Sequence, residues 1–445
     1  MKKIILSLVA LATTMVAMAA SDTPKKGQII GGDFEKWHKA SFSGQTSDEP
    51  NGWHSFMSGH ATKSLYEAAL KNTHTFICNE TRPGSTGKQS VKLTSGIVKV
   101  VFVQQPANGT ITTGRLIAGS TTANDPANCS MSNPSETAKD GNGDPFYAPI
   151  TTRPDSIVAW VKFKQGKLSD SNAKYKYATM SAILHGNSKY QDPEDATYAN
   201  VVAKAVNNTI ESNDFKWQRI SVPFDYKKYA SNNAEPHFIL ITFSTNAEPG
   251  VASTSADNPD VMIIDDVELI YNKEYTDDLV ISANGITAPA QKATIVVTEY
   301  LDGTYNIMLK NFTFGEGEEA LPIGDVTMAN LKPTNNNGTL HFTTEQDATI
   351  TNGGEVAEML NGKIHLKMEG DLKNDKLSAV INLEVFNQKI VAVFGKVENS
   401  VKNISVSNND EVIAIYDMAG RKLNKIQNGV NIVRKADGTT IKVIK

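Results

Sequence analysis

Short apolar segments with a period of two recur along most of the chain. "SIVAWVKFK" (156–164), "HFILITFS" (237–244), "VMIIDDVELIY" (261–271), "ATIVVTEY" (293–300), "TYNIMLKNF" (304–312) and "KIHLKMEG" (363–370) alternate β-branched or aromatic residues with polar ones. Clusters of Gly, Asn, Asp, Ser and Pro separate them. This is the pattern of strands that cover a core with one face. Helical periodicity is confined to "TKSLYEAALKN" (62–72) and "ATYANVVAKAVNN" (196–208). The spacing of strands and turns predicts an all-β chain built of sandwiches or barrels.

Polar seams divide the pattern into three blocks. The first covers 27–272 and holds all four tryptophans, and "NKEYTDD" (272–278) reads as a charged linker after it. The second covers 279–396, with Asp302-Gly303 as a hairpin turn. The third, 411–445, carries short strands joined at Ala-Gly and at Asp437-Gly438 and is basic from Arg421 onward. Ahead of all three, residues 1–19 read as a signal peptide: two lysines, an apolar stretch and the small-x-small run Ala17-Met18-Ala19. The apolar stretch is short for a bilayer span and no second candidate follows, so the chain is expected to be exported and not membrane-spanning. Periplasm, cell surface and extracellular medium all remain open as destinations.

Charge and motif content narrow the chemistry. The formal charge of −4 becomes −6 once Lys2 and Lys3 are removed (−4 − 2), with acids and bases mixed throughout. No basic stripe is present to neutralise phosphates, so no nucleic-acid partner is expected. Cys78 and Cys129 sit beside loop-like sequence in what would be an oxidising compartment. One disulfide and two free thiols both fit. The eight histidines never form HExxH, and neither GxSxG nor GxxxxGK[ST] occurs.

The acids of "VMIIDDVELIY" are the most suggestive cluster. Strict alternation puts Asp265 with Val267 and Leu269 on one face, and Asp266 with Glu268 on the other. Asp265 and Asp266 then point apart unless a bulge intervenes. Catalytic carboxylate pairs normally come from different strands flanking a cleft. The expectation is therefore a non-catalytic protein, with a glycan hydrolase using Asp266 or Glu268 as the least supported alternative.

The first block also opens with "GGDFEKW" (31–37) and "PNGW" (50–53) and closes with "DDVEL" (265–269). With "GKQSVKLTS", "TTRPDSIVAWVKFK" and "DFKWQRISVPFDY" between them, these segments resemble the galactose-binding-like, carbohydrate-metabolism domain of secreted Bacteroidetes proteins. The resemblance implies a jelly-roll β-sandwich with neighbouring first and last strands. It also implies a structural Ca²⁺ between them, for which Asp33, Glu35 and Asp266 are the oxygen ligands to expect; a solvated acidic strand end is the other reading. Sugar recognition needs aromatic platforms with polar rims. Trp160, Tyr175 and Tyr177, with Tyr147 in the polar insertion 130–149, are the expected carbohydrate-binding residues. Core packing competes for Trp160 and is favoured for Trp37, Trp53 and Trp217.

In the second block, Thr298-Glu299, Asp302-Gly303-Thr304-Tyr305, Leu309-Lys310-Asn311-Phe312 and Pro322-Ile323-Gly324-Asp325 resemble the calycin-like β-barrel of exported Bacteroidetes proteins. That implies a lipocalin-like antiparallel barrel, either filled as a spacer or enclosing an apolar ligand. The tail, with Tyr416-Asp417, Gly420-Arg421, Gly429 and Lys442, resembles the C-terminal sorting domain of the type IX secretion system, although Asn431 stands where an aromatic is usual. It implies contact with secretion machinery or the outer membrane, and a simple terminal β-module is the alternative. The function expected from these features is a secreted or surface glycan-binding protein, with polysaccharide or oligosaccharide as partner. A structural or adhesive protein is the runner-up.

Overall fold

The computed structural model describes residues 27–395, apart from 72–73, 101–102, 168–175, 285, 315–320 and 386, and residues 412–444, apart from 418–420, 429 and 436–439. The signal peptide, Tyr175, Gly420, Gly429 and Asp437-Gly438 lie outside the described residues.

A hairpin of β1 (Trp37–Phe42) and β2 (Gln45–Pro50) precedes the first domain's main strands. In chain order these are β3 (Thr75–Cys78), β4 (Ser90–Thr94), β5 (Thr110–Thr112), β6 (Ser156–Lys164), β7 (Ala178–His185), β8 (Val201–Ile210), β9 (Gln218–Pro223), β10 (Phe238–Ser244) and β11 (Val261–Ile270). One sheet runs β9-β6-β11-β4-β3; the other places β10 beside β7, with β8 beyond it and β5 on the far side. Val161, Phe163, Met262 and Ile264 from the first sheet meet Met180, Ala182, Ile241 and Phe243 from the second in one core. Two sheets, each hydrophobic on its inner face, form a sandwich because neither can bury that face alone.

The segment 196–208 departs from its helical expectation. Val201–Ile210 is a strand, paired with β7 from Ala178↔Ile210 to His185↔Val201. Its alanines and valines suit either state in isolation. Burial of Val201, Val202, Ala203 and Ala205 decides for the sheet. The other helical candidate yields one short turn, Glu67–Leu70.

β11 carries the closing motif, and there the alternation breaks. Val158 pairs with Glu268 and Trp160 with Asp265, so Asp266 and Val267 together oppose Ala159. Asp266 takes the bulge position with φ at 45°. The bulge shifts the phase: Met262 and Ile264 face the core before it, Val267 and Leu269 after it. Strict alternation had put Val267 on the opposite face from Met262. The N-terminal segment lies against this strand, where Val267 donates its N–H to Gly32 O at 2.7 Å and the Gln28 side-chain amide pairs with Leu269.

No linker separates the second domain. β12 (Asn272–Ala283) follows Tyr271 directly and takes in the whole "NKEYTDD" stretch. Then come β13 (Gln291–Glu299), β14 (Tyr305–Phe314), β15 (Leu321–Leu331), β16 (Thr339–Thr351), β17 (Lys363–Lys373), β18 (Lys376–Val385) and β19 (Gln388–Phe394), each antiparallel to the last. β12 also pairs with β19, from Leu279↔Phe394 to Ala283↔Ile390, which closes an eight-stranded barrel. A short helix, α1 (Glu355–Met359), sits between β16 and β17. The tail forms a separate four-stranded sheet from β20 (Val412–Asp417), β21 (Lys422–Leu423), β22 (Val430–Lys435) and β23 (Thr440–Ile444). Asn431 is buried there and exchanges hydrogen bonds with the Gln427 backbone.

Gly32 tests the packing of the N-terminal segment on the bulge. A Cβ there would stand 2.2 Å from Val267 O, whereas at Gly186 the nearest atom is 3.5 Å away. Gly32→Ala is expected to lower unfolding stability by roughly 1–3 kcal/mol and Gly186→Ala to change it far less, read from urea midpoints. Equal effects would contradict the packing described.

Candidate functional site

The barrel interior is unevenly filled. At the end nearer the Asp302-Gly303 turn, Tyr305 packs edge-on against Phe342 with ring centres 5.4 Å apart, and Phe394, Leu279 and Ile295 close the space around them. Toward the other end the inward positions are aliphatic: Ile281, Ala283, Val326, Met328, Leu366, Ile381, Val385 and Ala392. They leave a cavity of about 260 Å³ in which Gln388 contributes the polar side chain. The deeper liners, such as Met328 and Leu366, are buried, whereas Ala283, Phe312, Ile323, Leu360, Ile364, Leu383 and Ile390 are half-exposed around the mouth.

Local backbone irregularity shapes that mouth. Asn311, at φ 47°, and Gly324, at φ 98°, shift the register between β14 and β15 around Phe312. The buried Asp325 carboxylate holds the distortion by accepting from Asn311 N–H and from the Asn352 amide, each at 2.7 Å. A Cβ on Gly324 would lie 2.4 Å from Thr351 O, so that position needs glycine. The two bulges aim Phe312 and Ile323 into the cavity. The segments around Asn311 and Gly324 are thus the sequence signature of a barrel mouth.

A family model described as a calycin-like beta-barrel domain matches residues 272–396. Those residues are a calycin-like β-barrel domain. No curated protein and no solved structure gives a significant match to the chain.

The closed end of the calycin-like domain rests on the acids that the sequence singled out. The bulge turns Asp265 and Asp266 toward one partner: Arg82 donates its backbone N–H to Asp265 Oδ2 at 2.8 Å and its Nε–H to Asp266 Oδ2 at 2.5 Å. The Arg82 guanidinium also lies 3.5 Å from Asp302 in the barrel's hairpin turn. Glu268 accepts from Leu301 N–H at 2.9 Å, and Arg219 stacks over Tyr300. These acids clamp the barrel to the sandwich.

Among the described residues, the expected sugar platforms Trp160, Tyr147 and Tyr177 are not gathered into one surface. Trp160 faces outward from β6, opposite the buried Val161 and Phe163, but Arg82 lies over its ring at 5.6 Å. Its neighbour on that face, Lys162, pairs with Glu80 and sits over Phe215. Tyr147 packs edge-on against Phe238 at 5.2 Å, on the edge of the other sheet. Tyr177 is half-buried just before β7.

Nor does the structure bring Asp33, Glu35 and Asp266 together as a ligand set. Glu35 Oε1 accepts the Lys88 and Gln89 N–H groups at 2.7 and 2.8 Å, Asp33 is exposed, and Asp266 is held by Arg82. Cys78 and Cys129 are unbonded; burial pushes the Cys129 thiol up to about 12.

A groove of about 590 Å³ does cross the outer face of the second sheet. Thr179 and Ser181 of β7, Lys204 and Asn208 of β8, and Thr242 and Ser244 of β10 form its floor. Val98, Val100 and Gln105 line it from the hairpin Gly96–Val100 and Val103–Ala107.

Burial raises all three acids of the closing motif, against the donors that favour their charged forms. Asp265 is pushed up to about 7 by burial, with Arg82 N–H opposing and the Asp266 charge adding. An unfolded Asp titrates near about 3.9, so between these values the folded chain binds more protons than the unfolded one. The Asp265 contribution is fully present below the lower value and is lost as pH rises through the upper one. Carboxyl-carbon NMR should show Asp265 titrating near 7; a midpoint below about 5 would contradict the assignment.

Proposed function

We propose that this chain is an exported binding protein whose calycin-like domain takes up a small apolar ligand. The cavity carries the reading. An apolar cavity of roughly 150 Å³ stays dry and accepts benzene-sized guests, and this one is larger, at about 260 Å³, with an apolar mouth. Eight strands give an interior that side chains either fill or leave open for one small ligand. Here large side chains fill one end and shorter aliphatic ones leave the other open. With so little polar surface, recognition would rest on shape and burial, at about 0.8 kcal/mol per CH₂ group removed from water. Export rests on the N-terminal sequence pattern; among the described residues no helix is long and apolar enough to cross a membrane.

The fluorescent probe N-phenyl-1-naphthylamine tests the reading. It should brighten on the full chain with micromolar affinity, and a short-chain fatty acid or alkane should displace it. Ala283→Trp, which narrows the mouth without touching the filled end, should weaken the probe at least about tenfold with the fold unchanged by circular dichroism. No brightening on the wild-type chain would count against the proposal.

Glycan binding is the second reading, and the groove favours it, because hydroxyls, an amide and Lys204 lie across one sheet face. Affinity electrophoresis on host and plant polysaccharides should then retard the full chain. Asn208→Ala with Lys204→Ala should abolish the retardation, whereas Trp160→Ala should leave it. Migration unaffected by every polysaccharide would remove this reading.

A further inference from the structure

Four titratable side chains converge inside the sandwich domain from distant parts of the sequence. His38 comes from β1, Glu49 from β2, His54 from the turn after it, and Asp140 from the polar insertion. Glu49, His54 and Asp140 side chains are fully buried and His38 is nearly so. His38 Nε2 stands 3.2 Å from Asp140 Oδ2 and 3.7 Å from Glu49 Oε2. His54 Nε2 is 3.3 Å from the same Asp140 oxygen.

Each carboxylate divides its two oxygens in the same way. Glu49 Oε1 accepts Ser55 N–H at 2.8 Å and the Ser55 and Ser58 hydroxyls. Asp140 Oδ1 accepts Asn142 N–H at 2.9 Å and Asp144 N–H at 2.7 Å. The other oxygen of each, together with His38 Nε2, is buried without a hydrogen bond, and all three atoms lie within 4.8 Å of one another. His38 Nδ1 faces Asn51 Oδ1 at 3.2 Å, which fixes the proton there and leaves the Nε2 lone pair directed at the two oxygens.

Three lone-pair atoms with their remaining valences already satisfied are arranged as metal ligands are. Tetrahedral ligands about 2.0–2.2 Å from a zinc ion lie about 3.3–3.6 Å apart, close to the two separations measured. One imidazole with two carboxylates suits a small transition ion; Ca²⁺ would require six or more oxygens. A divalent ion with neutral His38 also balances both buried carboxylates.

We propose that His38 Nε2, Glu49 Oε2 and Asp140 Oδ2 hold one divalent transition-metal ion of the zinc type, flanked by His54. The ion ties the insertion to the β1–β2 hairpin, next to the hydrogen bond from Gly52 N–H to Asp144 at 3.0 Å.

The full chain, stripped with EDTA and dialysed, is titrated with Zn²⁺ by calorimetry and with Co²⁺ by visible absorption. One equivalent should bind with Kd at or below about 1 μM, and Co²⁺ should show the intense bands of a tetrahedral site. Asp140→Asn and Glu49→Gln should each weaken binding by at least about 100-fold. Imidazole ¹⁵N spectra of the wild-type chain decide the case even if those variants fold poorly, since His38 Nε2 should shift on adding Zn²⁺. Zn²⁺ should also slow tryptic cleavage after the exposed Lys139. A folded wild-type chain that takes up neither ion, or an unshifted His38 resonance at saturating Zn²⁺, overturns the proposal. So does binding that both folded variants leave unchanged.

Discussion

Closure of the second domain is the constraint on which the rest of the structure turns. Once β12 pairs with β19, from Leu279↔Phe394 to Ala283↔Ile390, the barrel has no free edge and a fixed girth. Side-chain size alone then decides how much of the interior is filled. Tyr305, Phe342 and Phe394 fill one end; mainly aliphatic side chains line the other, with Phe312 at its mouth. The cavity is therefore a consequence of where the chain places its large residues, and the bulges at Asn311 and Gly324 set the shape of its opening.

The same closure fixes how the barrel meets the sandwich. The β13–β14 turn projects from the filled end and meets β11 through Arg82, Glu268 and Arg219. That contact depends on one extra residue in β11. Without the bulge at Asp266, the two aspartates would point to opposite faces and Arg82 could not reach both. The acids that read as a candidate catalytic pair are an interdomain clamp. Their raised affinity for protons makes the clamp sensitive to pH.

Much of the fold was legible because most strands alternate cleanly. "KIHLKMEG" places Leu366 and Met368 inward, and "AWVKFK" places Val161 and Phe163 inward, as their burial shows. Legibility failed where alternation lost its contrast. "NKEYTDD" read as a linker because that half of β12 faces solvent on one side and offers Tyr275 alone as a large apolar residue. Residues 196–208 read as helix because alanine and valine fit both periods, and cross-strand burial decided between them. A bulge between two adjacent acids has no compositional mark, so the phase shift at Asp266 stayed hidden. The outward direction of Trp160 was readable from the pattern, but the arginine laid over it came from a loop nearly eighty residues earlier. Tyr305, Phe342 and Phe394 and the aliphatic positions of the barrel were in the sequence, but strand register decides which of them share an end. The His38 cluster spans a hairpin, a turn and a distant insertion, so no linear spacing could announce it.

The most direct test of the central claim, an open apolar cavity inside the calycin-like domain, is a crystal of the full chain equilibrated under xenon pressure. Xenon enters dry apolar cavities without needing a polar partner. The account predicts a xenon peak inside the barrel in contact with Met328, Ile381 and Ala392. A barrel with no xenon, its side chains repacked across the space, would contradict it.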